Sequence, residues 1–389
     1  MKRKVFHFIR KKFQLNSSFI QNQILNHINF EPVIIFRQSS TQKDCNCNFV
    51  MKTGENIKII DLGKDETLFE NNLFHFCKRL SFRQSKKLRK LVQEIKPDIM
   101  HFHYGTDAGI YLEALKNSTL PKMVSFYGYD CFSFPKKFFG LGRIYLKKRV
   151  FQHSSIIIAM SPEMKKDLLN LGCPPDKIVI HYHGVPSNLL TIKKANNQKE
   201  TITILMLSYI DPVKGHIFVL KSLSSLIKQG VLHFKLRIVG TGHYAHQIKR
   251  FVSLYRLDQH VEFVGQVKYL SAEYFKEFDN ADIFLHPSVT TKNDKEGIPG
   301  SLVEAMLASL PPITTYHGGI PYIIQNKKTG LLVKEWDVNN LTIAIKSLII
   351  NTNLRHQLGI AARSYAKKNL TLHNKEIELE NIYNSFLKT

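Results

Sequence analysis

Apolar runs of strand length alternate with helical patterns along nearly all of the 389 residues, which predicts an α/β protein with parallel sheets. The alternation stops at one polar stretch and then restarts, and the chain is too long for a single ordinary core. The fold class is therefore α/β, with two doubly wound Rossmann-like domains facing each other across a cleft. In such sheets ligands bind beyond the carboxyl ends of the strands, so the cleft is the expected site.

In chain order, strands are expected at Val5–Ile9, Pro32–Phe36, Ile57–Asp61, Ile99–His103, Met123–Phe126 and Ser155–Ala159, with helices at Ser18–His27 and Arg83–Ile95. Pro97 closes the second helix and launches the next strand. Ser161 followed by Pro162 reads as a helix N-cap and first turn. Asn188 to Thr201 is polar and aperiodic and reads as a linker. The second series of strands falls near Ile202–Leu207, Leu236–Val239, Val261–Phe263, Ile283–Leu285, Pro312–Thr314 and Leu331–Val333. The domains are then 1–190, a 191–200 linker, 201–370, and a terminal helical segment in 371–389.

Hydrophobic residues make up 43% of the chain, enough for large cores and against wholesale disorder. No run of about eighteen uncharged apolar residues suggests a membrane span. His7, Arg10, Lys11 and Lys12 interrupt the apolar start, which reads as a first strand rather than a secretory signal. A cytoplasmic protein is expected. Five cysteines, Cys45, Cys47, Cys77, Cys131 and Cys173, show no repeated spacing, against a disulfide framework. Cys45 and Cys47 lack a second pair to make a zinc site. The net charge of +24 concentrates at Lys78, Arg79, Arg83, Lys86, Lys87, Arg89 and Lys90, and again from Lys136 to Arg149. Such patches suit anionic partners or are solvated helix faces.

Residues Lys295 to Gly319 carry the sharpest chemical signal. Glu296 follows a strand ending in His286-Pro-Ser288, and Gly297, Pro299 and Gly300 allow close backbone approach to a ligand. A helix starting at Ser301 would present free N–H groups and a positive dipole end to a diphosphate. Glu304 has two readings. With Ser301 it makes a capping box, or its carboxylate accepts from a ribose diol. Lys214, before Gly215 at another helix opening, can neutralise a pyrophosphate or be an ordinary surface lysine. Val239-Gly-Thr-Gly242 lacks a third glycine and reads as a tight βα turn, while Gly318 and Gly319 could bring N–H groups to ligand oxygens.

Together these segments resemble the family 4 (group 1) glycosyltransferases of the GT-B fold, over nearly the whole chain. The likeness rests on Glu296 and Glu304 at E-x7-E spacing, Lys214-Gly215, Ile238 to Gly242, Asp282 to Ser288, Gly318-Gly319-Ile-Pro321 and Lys328 to Val333. In the first half it rests on Pro97 to His103, Tyr127-Gly-Tyr-Asp130, and Leu171 to Ile178 running into His183-Gly-Val185. The resemblance implies metal-independent, retaining transfer of a hexosyl unit from a UDP- or GDP-sugar, with no cofactor. Glu304 would hold the donor ribose and Lys214, with Gly215, the diphosphate. Glu296 would contact the transferred sugar or support an oxocarbenium-like transition state. Gly297, Ile298, Pro299 and Gly300 would line the sugar pocket, joined by Gly318 and Gly319.

Three positions depart from the family pattern. Tyr127 stands where relatives carry His, Tyr209 where they carry a phosphate-binding Arg, and Tyr322 where a carboxylate is usual. Tyr is a poor general base at neutral pH. Tyr127 and Asp130 are the catalytic candidates beside Glu296, and His101 and His103 the acceptor-side candidates, though these two could simply end a buried strand. The Asn16 to Ile24 segment resembles the acceptor-side helix of enzymes building exopolysaccharide or lipopolysaccharide. The implied acceptor is a glycan or polyprenyl-lipid-linked sugar, with the basic half drawn to an anionic inner membrane face. A degenerate, non-catalytic binding subunit is the alternative the tyrosines raise. Nucleic acid is not expected, because no recognition module accompanies the charge.

Overall fold

Thirteen strands and their crossover helices are seen in a computed structural model that describes residues 2–37, 54, 56–137, 139–187, 200–292 and 294–387. Cys45, Cys47 and nearly all of the expected linker lie outside the described residues. In chain order the strands are β1 (Arg3–Phe8), β2 (Phe30–Phe36), β3 (Lys58–Asp61), β4 (Ile99–His103), β5 (Lys122–Ser125), β6 (Ile156–Ala159), β7 (Ile178–Ile180), β8 (Ile202–Leu207), β9 (Phe234–Val239), β10 (Val261–Gly265), β11 (Ile283–His286), β12 (Pro312–Thr315) and β13 (Leu331–Val333). All but β7 fall on expected apolar runs. That strand has only three residues, too few for a periodic signal.

Contacts divide the chain into two units, Met1–Gly184 with Leu372–Thr389, and Val185–Thr371. The first holds a seven-stranded sheet in the order β3-β2-β1-β4-β5-β6-β7, and every pairing is parallel. The second holds a six-stranded parallel sheet in the order β10-β9-β8-β11-β12-β13. Both orders reverse direction beside their first strand, the arrangement that opens a ligand crevice at the strand ends. In the second unit that point lies between β8 and β11.

Each sheet is buried on both faces, which explains the continuous apolar strands. In β1 and β4 one face is different. Phe6, Phe8, Met100 and Phe102 point into the main core, whereas His7, His101 and His103 share the opposite face by the two-residue period. Ser161 caps the Pro162–Asn170 helix by accepting the Met164 N–H at 3.2 Å. The Leu372–Leu387 helix belongs to the first unit, where it lays Glu376, Glu380 and Tyr383 toward that histidine face.

Candidate active site

Lys214 and Glu296, expected on the donor side, converge at the switch point of the second unit. After β8 the chain turns through Asp211, whose carboxylate accepts the Val213 N–H at 3.1 Å. Gly215 then adopts φ +73, and a Cβ there would sit 2.0 Å from the Pro287 carbonyl oxygen. The Lys-Gly pair is thus a steric requirement: only glycine lets the Lys214 turn lie against the end of β11. The His216–Lys228 helix starts directly after it.

Glu296 is held from four sides. Lys214 Nζ bonds its Oε1, while Ser288 Oγ and His286 Nε2 donate to Oε2 at 2.5 and 3.1 Å. Its backbone N–H donates to His317 Nε2 at 2.9 Å, which places the His317 proton on Nδ1, where it reaches Glu335 at 2.8 Å. Burial pushes the Glu296 carboxyl up, but Lys214 and His286 outweigh it and hold the group well below the usual carboxylate range. Glu296 is therefore an anion over the whole physiological pH range. Burial keeps His286 below its ordinary value despite Glu296, so it serves as a neutral donor.

Two expectations for this loop need correction. The helix runs Gly300–Leu307 with Pro299 as N-cap, and no side chain caps it. Ser301 lies inside the first turn, so the capping-box reading of Glu304 fails. Its carboxylate instead accepts from the Tyr269 hydroxyl at 3.1 Å and from the Tyr274 hydroxyl. Burial raises the Glu304 pKa, and the two tyrosines only partly offset that. The second correction concerns Gly318 and Gly319. Gly319 donates its N–H to the Gly297 carbonyl at 3.1 Å, and a Cβ on Gly318, at φ +49, would sit 2.0 Å from the Glu296 carbonyl oxygen. These glycines brace the Glu296 loop from behind, and the Gly319 N–H is already taken.

Ile298 is buried beneath the loop, and Gly300 opens the helix with its first-turn N–H groups uncapped. The Val239–Gly242 segment is the tight turn its spacing suggested. Cβ atoms on Gly240 and Gly242 would meet the Ser208 and Ile210 carbonyls at 2.0 and 2.1 Å. Tyr209 and Tyr322 are both exposed. His286, Ser288, His317, Glu335, Tyr269 and Tyr274 were not singled out from sequence. The first three lie in motifs already noticed, but no local signal marks the two tyrosines under Glu304.

The first unit gathers the other candidates. Asp130 is fully buried, and its oxygens accept the backbone N–H groups of Gly105, Tyr127 and Gly128 at 2.9, 3.0 and 3.1 Å. Burial lifts its carboxyl to about 6 against those bonds. This corrects the catalytic reading of Asp130: it shapes the Tyr127 loop and has no exposed oxygen for substrate. His101 is equally enclosed, between Ser125 Oγ and the Tyr383 hydroxyl, both at 2.7 Å. It cannot reach an acceptor either. His103 is buried too, but its Nδ1 lies 2.7 Å from the hydroxyl of half-buried Tyr127. Tyr127 is thus the member of this group with partial exposure, and its hydroxyl also lies 3.3 Å from the buried Gln23 Oε1.

Comparison with known proteins places this geometry. Residues 190–365 match the family model described as glycosyl transferases group 1, and residues 65–189 match the one described as glycosyltransferase family 4. The colanic acid biosynthesis glycosyltransferase WcaL of Salmonella typhimurium is 31% identical over 195 residues, 50% of this chain and 47% of that protein. The amylovoran biosynthesis glycosyltransferase AmsK of Erwinia amylovora is 30% identical over 202 residues, 51% of this chain and 49% of that one. The match thus spans about half the length of these curated relatives. Among solved structures, Anabaena HepE in complex with UDP superposes with a TM-score of 0.74 at 15% identity, covering 99% of this chain and 100% of that one. That likeness establishes the two-domain GT-B fold.

Proposed function

The chain belongs to the family 4, group 1 glycosyltransferases, and from that premise we propose that it moves a hexosyl unit, with retention, from a UDP- or GDP-sugar to a glycan or lipid-linked acceptor in cell-surface polysaccharide synthesis. The observation that carries this reading is the ionised Glu296–Lys214 pair beside an uncapped helix start, at the switch point of a doubly wound sheet. The donor diphosphate leaves with its charge increased. Lys214 and the N–H groups from Gly300 onward supply fixed positive potential to that leaving group, which makes a metal unnecessary in this reading. Glu296, released from Lys214 as phosphate binds, faces the positive charge that develops on the sugar. Glu304, carried on the same helix, takes the ribose diol in place of the Tyr269 and Tyr274 hydroxyls it now accepts from.

The names of WcaL and AmsK, with the UDP held by HepE, support the donor and the acceptor class. The acceptor side gains support from the surface of the first unit. Phe69, Phe76, Phe82 and Phe139 are largely exposed, in the two segments that also carry Lys78, Arg79, Arg83, Lys147 and Lys148. The Arg149 guanidinium donates to the Cys77 carbonyl at 3.3 Å and so joins the two basic segments. Aromatic side chains among cations suit an anionic membrane face that presents a lipid-linked acceptor. No helix among the described residues is long and apolar enough to cross a membrane. The test is product formation from UDP- and GDP-sugars with purified protein. Nucleotide release that Glu296→Ala abolishes supports transfer, whereas binding without any turnover supports a non-catalytic binding subunit.

A further inference from the structure

Against the histidine face of β1 and β4 lies a buried cluster of imidazoles and carboxylates that the donor chemistry does not use. Its carboxylates come from the Leu372–Leu387 helix, where Glu376 and Glu380 stand one turn apart and so share a face. They meet His27, which follows the Ser18–Leu25 helix at the other end of the chain. His27 is 5% exposed and the two glutamates 2% each. His27 Nδ1 contacts Glu376 Oε1 and lies 3.7 Å from Glu380 Oε1. One nitrogen or oxygen from each of the three side chains lies within 4.8 Å of the other two, around a shared centre.

Neither Glu376 Oε1 nor His27 Nδ1 completes a hydrogen bond of ordinary geometry, although both are shut off from water. Such atoms are rare in folded proteins, and an ion is one of the partners that satisfies them. Two buried carboxylates also face a single imidazole here, which leaves negative charge in excess. A divalent cation beside a neutral imidazole would balance it. The ligands are held in place from outside. Ile28 and Asn29 donate their backbone N–H groups to Glu380 Oε1 at 2.6 and 3.0 Å, and the Asn29 amide donates to Oε2 at 2.8 Å. A carboxylate has about four lone-pair positions, so these three bonds fix its plane and leave one free. Behind His27 runs a file of imidazoles: its Nε2 lies 2.8 Å from His7 Nε2, and His7 Nδ1 lies 3.0 Å from His103 Nε2. A cation on His27 Nδ1 leaves the ring proton on Nε2, aimed at His7, which is the outer hydrogen bond that metal-ligating histidines make.

We propose that His27, Glu376 and Glu380 bind a divalent cation, with zinc the best match, that fastens the terminal helix to the first unit. One imidazole with two carboxylates suits zinc, whereas magnesium and calcium favour oxygen ligands alone. As the cation enters, the proton between His27 Nδ1 and Glu376 leaves to solvent. A second group, His7, His101 and His103, also has its nitrogens within 4.8 Å of one another. It is the weaker centre. Three imidazoles bring no charge to offset a cation, and both His101 nitrogens are already taken, by Ser125 Oγ and the Tyr383 hydroxyl at 2.7 Å. The role is structural and does not rest on the proposed transfer.

Elemental analysis of tag-free, full-length protein reads the site directly. About one zinc per chain should survive dialysis. Removing it with a chelator should lower the melting point by about 5–10 °C, the shift expected when a ligand at a hundredfold its dissociation constant is withdrawn. Added Zn²⁺ should restore the melting point and Mg²⁺ should not. Chelation should also speed protease cleavage within Leu372–Leu387 by about tenfold or more. Glu376→Gln keeps the side chain's shape but removes a charged ligand, and should lose the bound metal and the response to Zn²⁺ together. If that variant fails to fold, the cobalt-loaded wild type decides: paramagnetically shifted ring signals from His27 support the site, and their absence overturns it. No bound zinc after growth with added zinc, or a melting point indifferent to chelator, would overturn the proposal. Zinc that survives Glu376→Gln but leaves with His101→Gln would overturn the choice of centre.

Discussion

Gly318→Ala isolates how far the Glu296 loop depends on its backing turn. Two costs follow from the structure. At φ +49 an alanine carries left-handed strain of about 1 kcal/mol. Its Cβ would also lie 2.0 Å from the Glu296 carbonyl oxygen, a backbone atom that cannot swing aside. A contact that close has to open by more than 1 Å, and the displacement falls on the loop carrying Glu296. Misplacement on that scale costs on the order of 10²-fold in rate. Gly265→Ala is the internal control, because φ there is +86 and nothing lies within 4 Å of the added carbon. Both variants should lose about 1 kcal/mol or more of stability in denaturant melts, while only Gly318→Ala should lose turnover of nucleotide-sugar. Equal activity in the two variants would refute the claim that this turn positions Glu296.

Other outcomes follow from the same geometry. Glu296→Gln removes the anion facing Lys214 and should cut transfer by about 10²- to 10³-fold with the melting point little changed, measured by nucleotide release. Because Glu296 is held well below its ordinary pKa, its charge persists through mild acid. The activity limb that depends on it should appear only as pH falls well below about 4.5, toward its folded value, and should be missing from the Gln variant. His27 behaves in the opposite sense. Its folded pKa is raised, so its stabilisation is complete below 6.5 and is lost as pH rises toward about 9; with chelator present, thermal melts across that window should fall more for wild type than for Glu376→Gln. Tyr274→Phe leaves buried Glu304 with one fewer donor and should cost about 1–3 kcal/mol in stability, read from chemical denaturation. Binding to vesicles should require anionic lipid and weaken as salt rises, measured by flotation.

The sheets were legible in the sequence because parallel strands buried on both faces are nearly continuous apolar runs, as in Ile202–Leu207 and Ile156–Ala159. The Lys214–Glu296 pairing was legible because Lys214, Glu296 and Glu304 belong to short segments whose glycines mark close backbone approach. Local pattern misled at Ser301, where Ser and Glu three residues apart imitate a capping box although Pro299 is the N-cap. The fault there is ordinary: a cap is decided by backbone dihedrals, which two residue names do not specify. What sequence could not offer was any partner set by tertiary contact. Asp130 looks catalytic in its motif, yet Gly105, 25 residues away, takes one of its oxygens. The imidazole file joins residues 7, 27, 103 and 376, and no window of the chain holds more than a pair of them.

The claim on which the account turns is that Lys214, Glu296, the Gly300 helix start and Glu304 together form a nucleotide-sugar site. Thermal shift of the purified chain against UDP-, GDP-, ADP- and CMP-sugars tests it most directly, because a ligand that binds only the folded state raises the melting point. A UDP- or GDP-sugar should raise it in the wild type, and Lys214→Ala should reduce the shift. No shift with any of the four nucleotide classes, or a shift untouched by Lys214→Ala, would contradict the account.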